Sequence, residues 1–92
     1  MNEQAIEQHL KKAVEAIGGL CWKFTSPGTV GVPDRICINR GRVIFVELKT
    51  PGRLPRLIQH RRMKQLHDHS IDAVVVDSIE AIQEVADALQ AA

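Results

Sequence analysis

The run "RVIFVELK" at residues 42–49 constrains the fold more than any other stretch of the chain. A strand sends successive side chains to opposite faces. Here Val43 and Phe45 fall on one face, and Ile44, Val46 and Leu48 on the other. A strand that is apolar on both faces lies inside a sheet covered on both sides. The chain must therefore supply helices, and the sequence contains them. Ile6, Leu10, Ala13, Val14 and Ile17 keep a 3.6-residue period over 3–17, and Gly18-Gly19 ends that helix. Residues 55–69 read as a second helix opened by Pro55, since proline suits a first turn. Ser78 caps a third, with Ile79, Ile82, Val85, Ala86 and Leu89 on its inner side. "LCWKF" (20–24), with apolar residues on both faces, "DRICIN" (34–39) and "DAVVVD" (72–77) read as strands. "TSPGTVG" (25–31) and "TPGRLP" (50–55) read as loops. The order is α-β-β-β-α-β-α, an α/β fold with a mixed central sheet flanked by helices. Ninety-two residues make one domain, 1–92.

Four charges sit where this fold has little room for them. Asp34 and Arg35 stand at the mouth of one strand, and Glu47 and Lys49 inside another. If Arg40-Gly41 forms a two-residue hairpin loop, Asn39 pairs with Arg42 and Asp34 stands opposite Glu47. Directly opposed residues share a face, with Cβ atoms ~4.5–5.5 Å apart. Lys49, two residues after Glu47, points to the same side. A three-residue loop would shift this register by one. Two opposed carboxylates beside a buried face need a cation between them. Two readings stand. One is a structural salt bridge of Asp34, Glu47 and Lys49. The other is a site for a hard divalent ion such as Mg²⁺, which takes oxygen ligands and keeps several waters. The carbonyl of Leu48 could add a further oxygen. Lys49 could orient or deprotonate a metal-activated water, and a phosphodiester is the matching electrophile.

Gln59 lies on a stripe with residues 62, 63 and 66 of the second helix, and a buried amide there needs a partner. It is either a solvated boundary residue or a group reaching the site. Glu7 flanks the apolar stripe of the first helix, and spacing alone favours a solvated role for it. His9, His60, His67 and His69 have no zinc-like spacing and read as surface residues, with His60 a possible contact to nucleic acid. Cys21 and Cys37 read as buried free thiols rather than a disulfide.

The net charge of +1 conceals an asymmetry. All twelve Lys and Arg residues lie between Lys11 and Lys64, a window holding only the acids Glu15, Asp34 and Glu47. The tail after Lys64 carries acids and no Lys or Arg. A basic centre points to an anionic partner, nucleic acid first, or else to a solvated helix face. Trp22, Phe24 and Phe45 are the only aromatics, too few for base-by-base stacking, so shape or backbone recognition is favoured. No apolar run approaches the ~20 residues of a membrane span. The acid-bearing amphipathic start is unlike a signal peptide, so a cytoplasmic location is expected.

Pro33-Asp34 followed by "ELK" (47–49) resembles the PD-(D/E)xK nuclease superfamily. The longer pattern is sharper. "IEQHL", "GG", "KFTSPGTVGVPDRI", "VIFVELKTPG" and "LPRLIQ" with Leu66 beyond it resemble the stand-alone VRR-NUC domains. The similarity runs from about residue 3 to residue 80. It implies a restriction-endonuclease-like fold and a metal-dependent endonuclease of the kind found in phage genomes, akin to Holliday-junction resolvases. It also implies a homodimer acting on DNA, branched DNA in particular. The family's helix-1 acid falls on Glu7, its metal-binding aspartate on Asp34, its second acid on Glu47, its lysine on Lys49 and its glutamine on Gln59. Glu7, Asp34, Glu47 and the Leu48 carbonyl would hold Mg²⁺, with Mn²⁺ able to substitute. Lys23, Ser26, Arg35, Arg53, Arg56, Arg61 and Arg62 would engage DNA. One departure is visible: where the family often has a glycine before the last strand, this chain has "HDHSID". The rival class is a non-catalytic DNA-binding module that keeps the fold. The intact Asp, Glu and Lys set argues against it.

Overall fold

The computed structural model describes residues 1–91. Its elements are α1 (Glu3–Ala16), β1 (Leu20–Lys23), β2 (Arg35–Asn39), β3 (Arg42–Leu48), α2 (Leu57–Asp68), β4 (Asp72–Val76) and α3 (Ile79–Gln90). The strands form one mixed sheet in the order β1-β2-β3-β4. β1–β2 and β2–β3 are antiparallel, while β3–β4 is parallel, with α2 as the crossover between them. β3 is an inner strand, as its two apolar faces require.

The hairpin register is the expected one. Arg40 and Gly41 both have positive φ, 50° and 81°, the signature of a two-residue type I′ turn. Asn39 pairs with Arg42 and Arg35 with Val46, which brings Asp34 level with Glu47. The pairing of β3 with β4 continues one residue past the strand, where the Lys49 amide donates to the Val76 carbonyl at 3.0 Å.

α1 and α3 cover one face of the sheet. Ile6, Leu10 and Val14 from α1 and Ile82, Val85 and Leu89 from α3 close over Cys37, Ile44, Val46, Leu48 and Val76. Full burial of a Leu or Ile contributes about 1.5–3 kcal/mol, so this layer carries most of the fold's stability. Asn39 ties the hairpin to this layer by donating to the Leu89 carbonyl at 2.9 Å. Cys21 and Cys37 are paired across β1 and β2 in the same layer as buried free thiols, with sulfurs 3.8 Å apart.

α2 lies on the opposite face, over β3 and β4, and leaves the β1 side uncovered. The apolar residues that β1 turns to that side, Leu20 and Trp22, are therefore exposed. Most elements end within a residue of the sequence reading, and both ends of α2 fall inside the expected 55–69. α2 starts after Arg56 rather than at Pro55, because the Arg56 amide donates to Gln59 Oε1 (2.7 Å) and fixes Arg56 as the cap. At the other end Ser70 takes the left-handed conformation, φ 62°. That conformation costs an L residue roughly 1–2 kcal/mol. It is held by the Ser70 and Ile71 amides donating to the His67 and Leu66 carbonyls, both at 2.9 Å. His67 is exposed, as expected, and its Nε2 bonds to the Ala73 carbonyl at 2.8 Å. Ser78 caps α3 as expected, its hydroxyl accepting from the Ala81 amide at 3.1 Å. Among the described residues no helix is long and apolar enough to cross a membrane.

Candidate active site

The charged residues of β2 and β3 converge at the end of the sheet next to the N-terminus of α2. Strand alternation decides which way each one points. Val46 and Leu48 are spent on the α1–α3 core, so Glu47 between them must face α2. It is almost fully buried, at 1% exposure. Gln59, also buried, donates from Nε2 to Glu47 Oε2 at 2.8 Å. The same amide group caps α2 through its oxygen, so one side chain fixes both the helix start and the carboxylate. Lys49 Nζ lies 3.3 Å from Glu47 Oε2. Asp34 is placed by its neighbour strand: its Oδ2 accepts from the Leu48 amide at 2.8 Å.

This leaves Glu47 Oε1 buried with no hydrogen-bond partner. A buried carboxylate oxygen without a partner is costly, and the cost falls on the charged form. Burial, and then the Asp34 carboxylate beside it, push Glu47 up to about 7, while the Lys49 ammonium pulls it down. Two neighbouring carboxylates, one of them with an open buried oxygen, match the donor set of a hard cation. No group of three His, Cys, Asp or Glu side chains suited to a metal exists among the described residues. Any ion here would rely on two carboxylates, backbone oxygen and water.

Glu7 does not join the pair. Its Oε2 accepts from Arg35 Nε at 2.9 Å. Arg35, expected to face DNA, is instead buried, with its Nη1 donating to the Cys21 carbonyl at 3.1 Å. The physical reason is again the strand period. Asp34 faces α2, so Arg35 must face α1. The Glu7–Arg35 pair thus anchors α1 to the sheet directly behind the acidic cluster.

Of the remaining basic residues, Lys23, Arg53, Arg56 and Arg61 are exposed. Arg62 is half-buried and donates from Nε to the Val30 carbonyl at 2.7 Å, fastening the 25–33 loop to α2. Ser26 is half-buried in a turn closed by the Thr29 amide on its carbonyl, 3.0 Å. A cleft of about 470 Å³, lined by Glu3, Lys49, Thr50, Arg53, Leu54 and Arg56, opens beside Lys49. It gives the site a predominantly basic approach.

No family model matches the chain. It is 43% identical over 79 residues to "Putative nuclease p44" of Acyrthosiphon pisum secondary endosymbiont phage 1, a match covering 85% of each protein. A solved structure described as "VRR_NUC domain" superposes with a TM-score of 0.85 at 29% identity, over 92% of this chain and 94% of that one. The chain belongs to the VRR-NUC family of nucleases. Its fold is the VRR-NUC fold, with the PD-(D/E)xK residues at the sheet end where the strand register places them. Sequence reading of this VRR-NUC chain located the acids and the lysine. It missed the destination of Arg35 and the direct bond from Gln59 to Glu47. The first was available from the strand period, since Asp34 and Arg35 cannot share a face. The second depends on how α2 enters, which no local pattern specifies.

Proposed function

We propose that this VRR-NUC chain is a divalent-metal-dependent endonuclease that hydrolyses DNA phosphodiesters, selectively on branched DNA and as a homodimer. The observation that carries the reading is the open, buried Oε1 of Glu47, a carboxylate that has Asp34 beside it and Lys49 3.3 Å from its other oxygen. Asp34, Glu47 and the Leu48 carbonyl would hold Mg²⁺, or Mn²⁺ in its place. When bound, such an ion lowers the pKa of a coordinated water and offsets charge on the phosphoryl oxygens. The chain's own residues do the rest. Gln59 fixes the Glu47 carboxylate through Oε2, leaving Oε1 free as a ligand. Lys49 donates to the attacking water or to a phosphate oxygen. Glu7 acts at one remove, holding Arg35 and therefore the strand end that carries Asp34. Lys23, Arg53, Arg56 and Arg61 offer exposed cations to flanking phosphates.

One constellation per chain cuts one strand. Two symmetric cuts at a junction need a two-fold pair, which an isologous dimer supplies. The test is incubation of supercoiled plasmid and of linear, flap and four-way DNA with Mg²⁺, and again with EDTA. Nicking that EDTA abolishes, strongest on branched DNA, is expected. DNA binding without cleavage in any divalent metal would favour the non-catalytic module. Light scattering should give about twice the 10.2 kDa chain mass. A monomer that cuts both strands in concert would refute the dimer.

A further inference from the structure

Next to the acidic cluster, the chain exposes an apolar side chain on a stiff support. Leu54 is 84% exposed, more than any other large hydrophobic of the described residues. Its flanks are rigid. Thr50-Pro51-Gly52-Arg53 closes a β-turn, with the Arg53 amide donating to the Thr50 carbonyl at 3.0 Å. Pro51 presets the first corner, and Gly52 takes φ 82° at the second, as a type II turn requires. Pro55 follows and restricts Leu54 itself to an extended backbone. Arg53 and Arg56, both exposed, stand on either side, and all three residues line the cleft that Lys49 shares.

From this we infer that Leu54 is a wedge that enters the base stack at a branch point, held in register by Arg53 and Arg56 on the adjacent phosphates. The inference rests on the reading of the site as a DNA nuclease and assigns that reading's selectivity to a residue. Charge complementarity selects the occupant. An apolar tip between two guanidiniums fits a polyanion that exposes apolar base faces. Proteins that insert apolar wedges between base steps must unstack them, and that cost is least where stacking is already interrupted. A stiff arm loses little conformational freedom on insertion, so the contact discriminates rather than being offset by ordering. In continuous duplex the same side chain has no gap to enter, and only the arginines contribute. Proximity of the cleft to Lys49 sets the cut close to the branch.

The experiment measures binding of the wild type, Leu54→Ala and Leu57→Ala to a four-way junction and to an unbranched duplex, in Ca²⁺ to suppress cleavage. A 2-aminopurine at the branch reports unstacking. Leu57 is 76% exposed but does not line the cleft, so it is the control for generic apolar contact. Leu54→Ala is expected to lose on the order of tenfold in junction affinity. It should change duplex affinity less than twofold and lose the 2-aminopurine signal, while Leu57→Ala keeps both. Junction preference and signal retained in Leu54→Ala, or equal loss on junction and duplex, would overturn the wedge and leave the nuclease reading intact. Wild type that binds neither DNA would overturn both. Leu54 is so exposed that its truncation leaves the fold undisturbed, and the circular dichroism of the variant checks this.

Discussion

Replacing Glu47 by glutamine should make the protein more stable and inactive at once. Glu47 keeps its proton to about pH 7 in the folded chain, against an ordinary value of 4.5. Its contribution to stability is therefore fully present below pH 4.5 and is lost as pH rises through 7. A rise from 4.5 to about 7 corresponds to roughly 3 kcal/mol withdrawn at pH 8. Glutamine keeps the shape, accepts from Gln59 on one atom and places an amide where Oε1 now has no partner. It stays neutral at every pH. The shift to about 7 is already net of the attraction to Lys49, so loss of that pair subtracts nothing further. The gain expected at pH 8 is about 3 kcal/mol, or on the order of 10–20 °C in Tm for a domain of this size. At pH 5 the variant and the wild type should be nearly equal. Urea denaturation in EDTA at pH 5, 6, 7 and 8 measures the difference. A variant less stable than wild type at pH 8, or a difference that does not change with pH, would refute the assignment of Glu47 as a destabilised carboxylate.

Other expectations follow from the same geometry. Mg²⁺ should raise the wild-type Tm, more at pH 8 than at pH 6, because the ligand carboxylate must lose its proton; at a hundredfold excess over Kd the gain is about 2.7 kcal/mol. Asp34→Asn should reduce that gain sharply, and an unchanged Mg²⁺ effect would remove Asp34 from the ligand set. Gly31→Ala should cost about 2 kcal/mol or more, since φ is 86° there and a Cβ would lie 2.7 Å from Ile58 Cγ1; thermal melts equal to wild type would contradict the packing of the 25–33 loop on α2. DNA affinity should fall with a log–log salt slope of roughly −3 to −4 if Lys23, Arg53, Arg56 and Arg61 each meet a phosphate. A flat dependence would deny them that role.

The architecture was legible because β3 is apolar on both faces, which requires helices on both sides, and three periodic segments were there to meet it. The Asp34–Glu47 juxtaposition was legible because the Arg40-Gly41 turn fixes the register of everything above it. The same alternation that sets Glu47 toward α2 sets Arg35 toward α1, so a basic residue beside the motif became an internal tether. Gln59 was placed on the right helix face, but its partner depends on the angle at which α2 leaves the 50–56 loop. Long-range packing sets that angle, and one helix's periodicity does not encode it. The exposure of Trp22 likewise follows from where α2 lies across the sheet, and an apolar strand sequence does not reveal it.

The most direct test is single-turnover cleavage of one DNA substrate in Mg²⁺ by the wild type, Asp34→Asn, Glu47→Gln and Lys49→Ala, with DNA affinity measured alongside. Each variant is expected to slow cleavage by at least about a hundredfold while binding DNA within a few-fold of wild type. Cleavage by any of the three at a rate close to wild type would contradict the site proposed at the end of β3.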